Sequence, residues 1–403
     1  MKPAAMDCQQ LRQQLQLISE LYGLPAHWLD NYPHLFSAAT ITISALQLQQ
    51  IQEIIAAVEH VVNLPVYQQK VLSWAAPSAL ITPKNPAVFM AYDFHLTPTG
   101  PKLIEINTNA GGAGFNALLA WAAASLNKNP PANFTSEDYF FSLFIQEWQA
   151  QRDEQALKQI AIIDEAPQQQ YLYPEFLFFQ NIFNRHNIAT VIADPSEFSY
   201  QNGHLTHQGV VIDLVYNRLT DFNLTENTHS AILNAYADDA IVLTPHPRAY
   251  ALYADKRNLT VLSDPTFLRH CQLDDHTLKI LEQGIPYSFI VDPEQADSLW
   301  ESRKTLFFKP FIGHGSKGVY RGDKVTKRVF AEILQGDYMA QTLAPPSETI
   351  VLVDDASVSL KYDIRNFVYA GQPDGLASRL YQGQATNFRT PGGGFALVEI
   401  QTT

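Results

Sequence analysis

The sequence predicts a mixed α/β fold, and three patterns carry that prediction. Apolar residues recur at helical spacing through Leu48, Ile51, Ile54, Ile55, Val58, Val61 and Val62. Two strand-like runs, residues 87–94 and 102–107, flank a turn marked by Pro98, Gly100 and Pro101. Between Ile160 and Asp194 a strand, a helix and a second strand follow one another, the pattern of a parallel layer with a crossover helix.

Taken in order, the first helical signal runs from Gln9 to Gln16, where interleaved leucines mark the glutamines as a solvated face. With 48–62 it gives an amphipathic helical layer over residues 1–86. The hairpin at 87–107 leads into a segment with three glycines, 108–114, and a helix from Phe115; residues 87–125 form the second segment. In the third, 159–240, residues 160–164 and 190–194 are the strands and 175–185 the helix, and 210–216 reads as one more buried strand ending at Asn217-Arg218. Pro245 and Pro247 mark the boundary to the last segment, 241–403. There the pattern gives a helix from about Lys256, a turn at Gly284-Ile285-Pro286, paired strands around Lys309 and Tyr320, a helix over 325–334 and strands to the end.

The chain has 403 residues with 27 Lys+Arg against 40 Asp+Glu, a net charge of −13. Such acidity argues against a surface that tracks nucleic acid, though not against a small polyanion in a locally basic cleft. No apolar run approaches the length of a membrane span, and the first residues lack a signal-peptide core. The expectation is a cytoplasmic protein with neither nucleic acid nor membrane as partner. Cys8 and Cys271 have neighbours of no ligand-like spacing, so neither a disulfide framework nor a thiolate metal site is expected.

Three constellations bear chemistry. The first is a basic island around Lys309-Pro310 and the glycine-rich stretch Gly313-His314-Gly315-Ser316-Lys317-Gly318. Glycines let backbone N–H groups approach a polyphosphate and a lysine adds a point charge; an ordinary turn with exposed lysines is the rival reading. The second is Asp93 on one hairpin strand with Glu105 and Asn107 on the other. Alternation puts Glu105 and Asn107 on one face, a hard-oxygen set suited to Mg²⁺, unless these groups serve only the turn backbone. The third gathers Asp363, Arg365, Arg379, Asn387 and Arg389 near a glycine loop with Gly392 and Gly393. Arginines so concentrated suit bidentate grip on phosphate or carboxylate, or else pair with Asp363 and Asp374 at the surface. His204, His246 and His314 read as loop or surface residues.

In its order this set resembles the ATP-grasp superfamily of ADP-forming carboxylate–amine ligases: Lys256, Lys309-Pro310 with its glycine loop, the hinge-like segment Gln341-Thr342-Leu343, Asp363-Ile364-Arg365, Arg379 and Asn387. Glu105-Ile106-Asn107 resembles that superfamily's metal-binding strand, and its early position resembles the circularly permuted branch with eukaryotic-type glutathione synthetases and glutathionylspermidine synthetase-like proteins. Val215-Tyr216-Asn217-Arg218 is similar to the end of a substrate-domain strand in that branch. One departure is that residues 311–318 hold no acid, where eukaryotic-type glutathione synthetases carry a metal ligand.

The resemblance implies a permuted ATP-grasp fold with a helical N-terminal layer, a metal-binding hairpin, a Rossmann-like substrate domain and a nucleotide-binding domain. It implies ATP and Mg²⁺ as cofactors and a small carboxylate and an amine as substrates, and leaves room for a homo-oligomer. Asp93, Glu105 and Asn107 would hold the metal. Lys256, Lys309, Gly313, Gly315, Ser316, Lys317, Gly318 and Gln341 would hold the nucleotide. Arg365, Arg379 and Asn387 would be catalytic, and Arg218, Arg389, Gly392 and Gly393 would hold substrate. A small-molecule kinase and a nucleotide-binding regulator without turnover are the alternatives.

Overall fold

A computed structural model describes residues 6–126, 136–313, 318–353 and 356–401. Its centre is a seven-stranded sheet in the order Phe36–Ser44, Gly394–Gln401, Gln372–Tyr381, Ala356–Tyr369, Met90–Thr97 and Gly100–Asn107, with Ser347–Val353 also paired to Ala356–Tyr369. Alternation sorts the two faces. Met90, Tyr92, Phe94, Leu96, Leu360 and Ile364 point to one side and pack with Ile51, Ile55, Val58 and Val62 of the helix Ala45–Val62. That helix starts at a capping box in which Ser44 and Gln47 satisfy each other's backbone N–H groups. The other face carries Ala91, Phe367, Ala377 and Phe395 into a second core shared with the helices Ala113–Ser125, Glu137–Arg152 and Tyr173–Arg185. The charged residues of this face therefore collect where the apolar packing stops.

A separate parallel sheet has the order Val242–Thr244, Leu214–Asn217, Gln159–Ile163, Ala189–Ala193. It is buried on both faces: Ile160, Ile162 and Tyr216 enter one core, while Ala161, Ile163 and Val215 enter another. The carboxyl ends of such strands are where open parallel sheets place ligand-facing residues. Asp164 and Arg218 stand there, and the backbone N–H of Arg218 donates to the carbonyl of Ile163 at 2.9 Å. A four-stranded antiparallel sheet, Ser288–Ile290, Tyr338–Thr342, Leu306–Pro310 and Tyr320–Arg321, completes the frame. Its inner face buries Phe308 against Phe330 and Ile333 of the helix Lys327–Gln335. Among the described residues no helix is long and apolar enough to cross a membrane.

Four expectations are corrected. Residues 36–44 form a strand inside the region read as helical, because FSAATITIS alternates with period two and pairs in parallel with Gly394–Gln401. The run 210–216 is two strands, Val210–Val211 and Leu214–Asn217, which join different sheets. Asp213 divides them, its carboxylate accepting from the backbone N–H groups of Lys158 and Gln159 at 2.9 Å each. Lys256 precedes rather than opens its helix, which spans Asn258–Leu262. Gln341 is no hinge: it lies within the strand Tyr338–Thr342 and is buried.

Candidate active site

One face of the large sheet presents a row of charge. Glu105 is registered opposite Asp93, Asp93 opposite Arg365, and Asp363 opposite Arg379. Directly opposed residues share a face and residues two apart do too, so all five side chains point the same way. The chain brings them there from positions up to 286 residues apart.

Asp93 is the hub of this row. Its carboxylate accepts from Arg365 Nε at 2.7 Å and Nη2 at 2.8 Å, from Arg379 Nη2 at 2.9 Å and from Asn107 Nδ2 at 3.0 Å. Burial alone would raise its pKa, but the two guanidiniums outweigh burial and hold the carboxyl below the usual range. Asp363 accepts from Arg379 Nε and Nη2 and from the Thr386 hydroxyl. Burial works against the charge of Arg379, yet Asp363 and Asp93 keep its pKa raised. Asp93, expected as a metal ligand, here accepts from four donor atoms and holds two arginines in place.

Glu105 and Asn107 are different. The Glu105 side chain is about a third exposed to the cleft and meets Lys256 Nζ at 3.5 Å. Asn107 uses its amide nitrogen on Asp93, leaving the amide oxygen as acceptor. A carboxylate and an amide oxygen side by side fit Mg²⁺, which completes its shell with waters and phosphate oxygens.

Above them lie two buried lysines. Lys309 donates to the carbonyl of Ile104 at 2.7 Å and to Gln341 Oε1 at 2.9 Å. Lys256 donates to the carbonyl of Gly313 at 2.7 Å, tying it to the start of the glycine loop. Burial lowers the pKa of Lys309 to about 8, with Glu105 and Asp93 opposing and Lys256 assisting. An ammonium so desolvated gains more from an arriving polyanion than an exposed one does.

Glu105, Asn107, Arg218, Lys256, Lys309, Gly313, Gln341, Arg365 and Arg379 line a single cleft of about 490 Å³. Its far wall is the end of the parallel sheet. There Arg218 donates to Asn109 Oδ1 at 2.6 Å, and its buried Nε has no hydrogen-bond partner among the described residues. Burial raises the Asp164 carboxyl to about 7, with Arg218 pulling the other way. Gln170, Tyr171 and Phe388 continue this wall, the two rings stacked at 5.9 Å. The segment 108–114 forms the floor. Gly112 has φ +98°, and a Cβ there would stand 2.3 Å from Phe395, so glycine alone lets the chain turn into the following helix. Glu175 accepts from the N–H groups of Gly112 and Gly114 and fixes that turn.

Other expected residues do not reach the cleft. Asn387 spends its amide on its own loop, donating to the carbonyls of Gln382 and Ala385 and accepting from Arg389 N–H and Thr390 Oγ1. Arg389 is exposed beside it. Gly392 and Gly393 serve close packing: a Cβ on Gly393 would come within 2.5 Å of the Leu380 carbonyl. Gly318, at φ +69°, lies against Tyr338 at the margin. Gly315, Ser316 and Lys317 lie outside the described residues. Asp164, Gln170, Tyr171 and Phe388 were missed in the sequence. The one signal for Asp164 was an acid directly after a buried parallel strand.

No family model matches the chain, and no curated protein matches it. Among solved structures it is similar to a glutathione synthetase-like effector from Globodera pallida in its apo form, with a TM-score of 0.58, 12% identity and 98% of each chain covered. A putative gamma-glutamylcysteine synthetase from Methylobacillus flagellatus aligns at a TM-score of 0.47 and 10% identity over 87% of this chain and 86% of that one. The ATP-grasp ligase PsnB, complexed with minimal precursor, Mg and ADP, aligns at 0.31 and 14% over 60% and 88%. At 12% identity the full-length match shows a shared fold, and the mixed α/β architecture expected from the sequence is the architecture of this chain.

Proposed function

We propose that the chain is an ATP-dependent, ADP-forming ligase that joins a small carboxylate to an amine through an acylphosphate, on a circularly permuted ATP-grasp frame. The observation that carries this reading is the convergence of two buried lysines, a carboxylate–amide oxygen pair and two anchored arginines on one cleft. Phosphoryl transfer asks a protein chiefly for positioning and charge neutralisation, and this set supplies both.

In this reading Lys256 and Lys309 hold the phosphate chain, with Gln341 orienting Lys309 and the Gly313 carbonyl holding Lys256. Glu105 and Asn107 would hold Mg²⁺, which supplies charge neutralisation between the phosphates. Arg365 and Arg379, fixed by Asp93 and Asp363, face the transferred group and stabilise charge that develops on it. A guanidinium already locked by carboxylates needs little reorganisation when that charge appears. Arg218, with Asn109 behind it, offers a desolvated cation to the acceptor substrate at the opposite wall. Residues 87–125 and 241–403 would then build the nucleotide half and 159–240 the substrate half, with 1–86 adding the edge strand Phe36–Ser44 and the helices packed beside it.

The test is trapping. ADP release is measured with carboxylates and amines supplied in pairs, and hydroxylamine replaces the amine in a parallel series. A ligase gives ADP, phosphate and a hydroxamate. A phosphorylated alcohol with no free phosphate and no effect of hydroxylamine would make the chain a kinase, and nucleotide binding without any turnover would make it a regulator.

A further inference from the structure

Behind the far wall of the cleft, outside the site just described, Glu165, Glu226 and His229 converge, with one potential ligand atom of each lying within 4.8 Å of the others. His229 is fully buried. Its Nδ1 lies 2.9 Å from Asp221 Oδ2; with that nitrogen donating to the carboxylate, the neutral ring carries its lone pair on Nε2. That Nε2 is buried and has no hydrogen-bond partner among the described residues, although Glu165 Oε1 lies 3.5 Å away. A neutral ring here would set its lone pair among carboxylate oxygens, and a cation shared between the nitrogen and those oxygens would turn that contact into coordination.

We infer that Glu165, Glu226 and His229 form a site for a divalent transition-metal ion of the zinc class, with Asp221 orienting the imidazole. The pattern is the carboxylate–histidine–metal relay, in which an outer acid fixes the tautomer and raises the basicity of the ligating nitrogen. Tetrahedral coordination at about 2.0–2.2 Å requires donors separated by about 3.3–3.5 Å. His229 and Glu165 already stand at 3.5 Å. Glu226 is exposed and free to close the remaining gap, and a water would take the fourth position. A mixed nitrogen–oxygen donor set favours a zinc-class ion over Mg²⁺ or Ca²⁺, which take oxygen donors. The only other comparable cluster among the described residues, Glu137, Asp138 and His186, is less available. There Glu137 is engaged by Arg185 at 2.5 Å and the His186 ring lies flat on Phe141 at 3.9 Å.

The site has a structural consequence for the cleft. Glu165 directly follows Asp164, and Asp221 stands between Thr220 and Phe222; these three neighbours line the cleft. An ion here would staple two segments of its wall.

The whole chain, freed of metal by chelator and dialysis, is titrated with Zn²⁺ calorimetrically and with Co²⁺ by visible absorption. The expected result is one equivalent bound, ligand-field bands of four-coordinate Co²⁺, and a melting temperature that rises with Zn²⁺. Glu165→Gln and Glu226→Gln, both exposed and harmless to the core, should each weaken binding at least tenfold, and Asp221→Asn by about 10–100-fold. Absence of stoichiometric uptake would overturn the site and leave His229 as an imidazolium held by carboxylates. Uptake unaffected by both glutamate variants would overturn it equally, placing the ion elsewhere.

Discussion

Raising the pH should loosen nucleotide binding through Lys309. Its ammonium sits between the Ile104 carbonyl and Gln341, and burial brings its pKa down to about 8. Only the charged form attracts phosphate. Such a group is charged in roughly nine molecules of ten at pH 7 and roughly one of ten at pH 9. When the nucleotide captures the charged form alone, the dissociation constant rises about tenfold over that interval, or ~1.4 kcal/mol. A lysine with its ordinary pKa near ~10.4 would change it by only a few per cent. The assay is titration calorimetry with ATP and with adenosine at pH 7, 8 and 9, in buffers of contrasting ionisation heat that count protons taken up. ATP should weaken and take up a proton as pH passes 8, while adenosine stays level. Lys309→Met should bind ATP more weakly at pH 7 by about 1.5–3 kcal/mol and show no slope. A level wild-type profile, or a slope that survives in Lys309→Met, would refute the assignment.

Asp93→Asn should cost about 3–5 kcal/mol of unfolding free energy in urea, since it leaves the charges of Arg365 and Arg379 short of a buried partner; a loss under 1 kcal/mol would contradict the hub role. Glu105→Ala should abolish Mg²⁺-dependent ADP release while shifting unfolding by no more than about 0.5 kcal/mol, because the side chain faces the cleft. Retained Mg²⁺-dependent activity would remove Glu105 as a ligand. His246 should make the fold acid-labile. It donates from Nε2 to the Asn85 carbonyl and accepts the Ala249 N–H at Nδ1, and burial holds its pKa at about 4. The unfolded chain takes up the proton first as pH falls below about 6.5, so stability present at pH 7 is lost toward pH 4. Between pH 7 and 4.5 the loss attributable to this residue is about 2–3 kcal/mol, measured as the difference between wild type and His246→Gln.

Local signals made much of this legible in the sequence. The hairpin of Asp93 and Glu105, the strand–helix–strand unit and the strand of Lys309 each follow from alternation and turn residues close in the chain. The cleft positions of Glu105, Asn107, Lys256, Lys309, Arg365 and Arg379 followed from motif order. What sequence could not carry was competition between partners. That sheet register sets Asp93 against Arg365, and that the Asn387 amide is bonded at both ends within its own loop, is visible only once the strands are placed. Asp164 and Phe388 needed the junction of two sheets before either had a site to line. The strand at 36–44 carried a period-two signal, but its partner at 394–401 lies at the other end of the chain.

That last pairing bears on how the protein is made. During synthesis the strand Phe36–Ser44 and the hairpin of Asp93 emerge first, while Arg365, Arg379 and the strand Gly394–Gln401 are still to be translated. At about 5–20 residues per second the wait for residue 365 is of the order of ten seconds or more. Throughout it, the hairpin edge that pairs with Ala356–Tyr369 stays open and the Asp93 carboxylate lacks both its arginines, and long-range pairings of this kind close slowly. The chain thus emerges with its central sheet open and depends on its last strands to complete it. Nascent chains halted before residue 365 should accordingly be more sensitive to protease across residues 87–107 than chains released at full length.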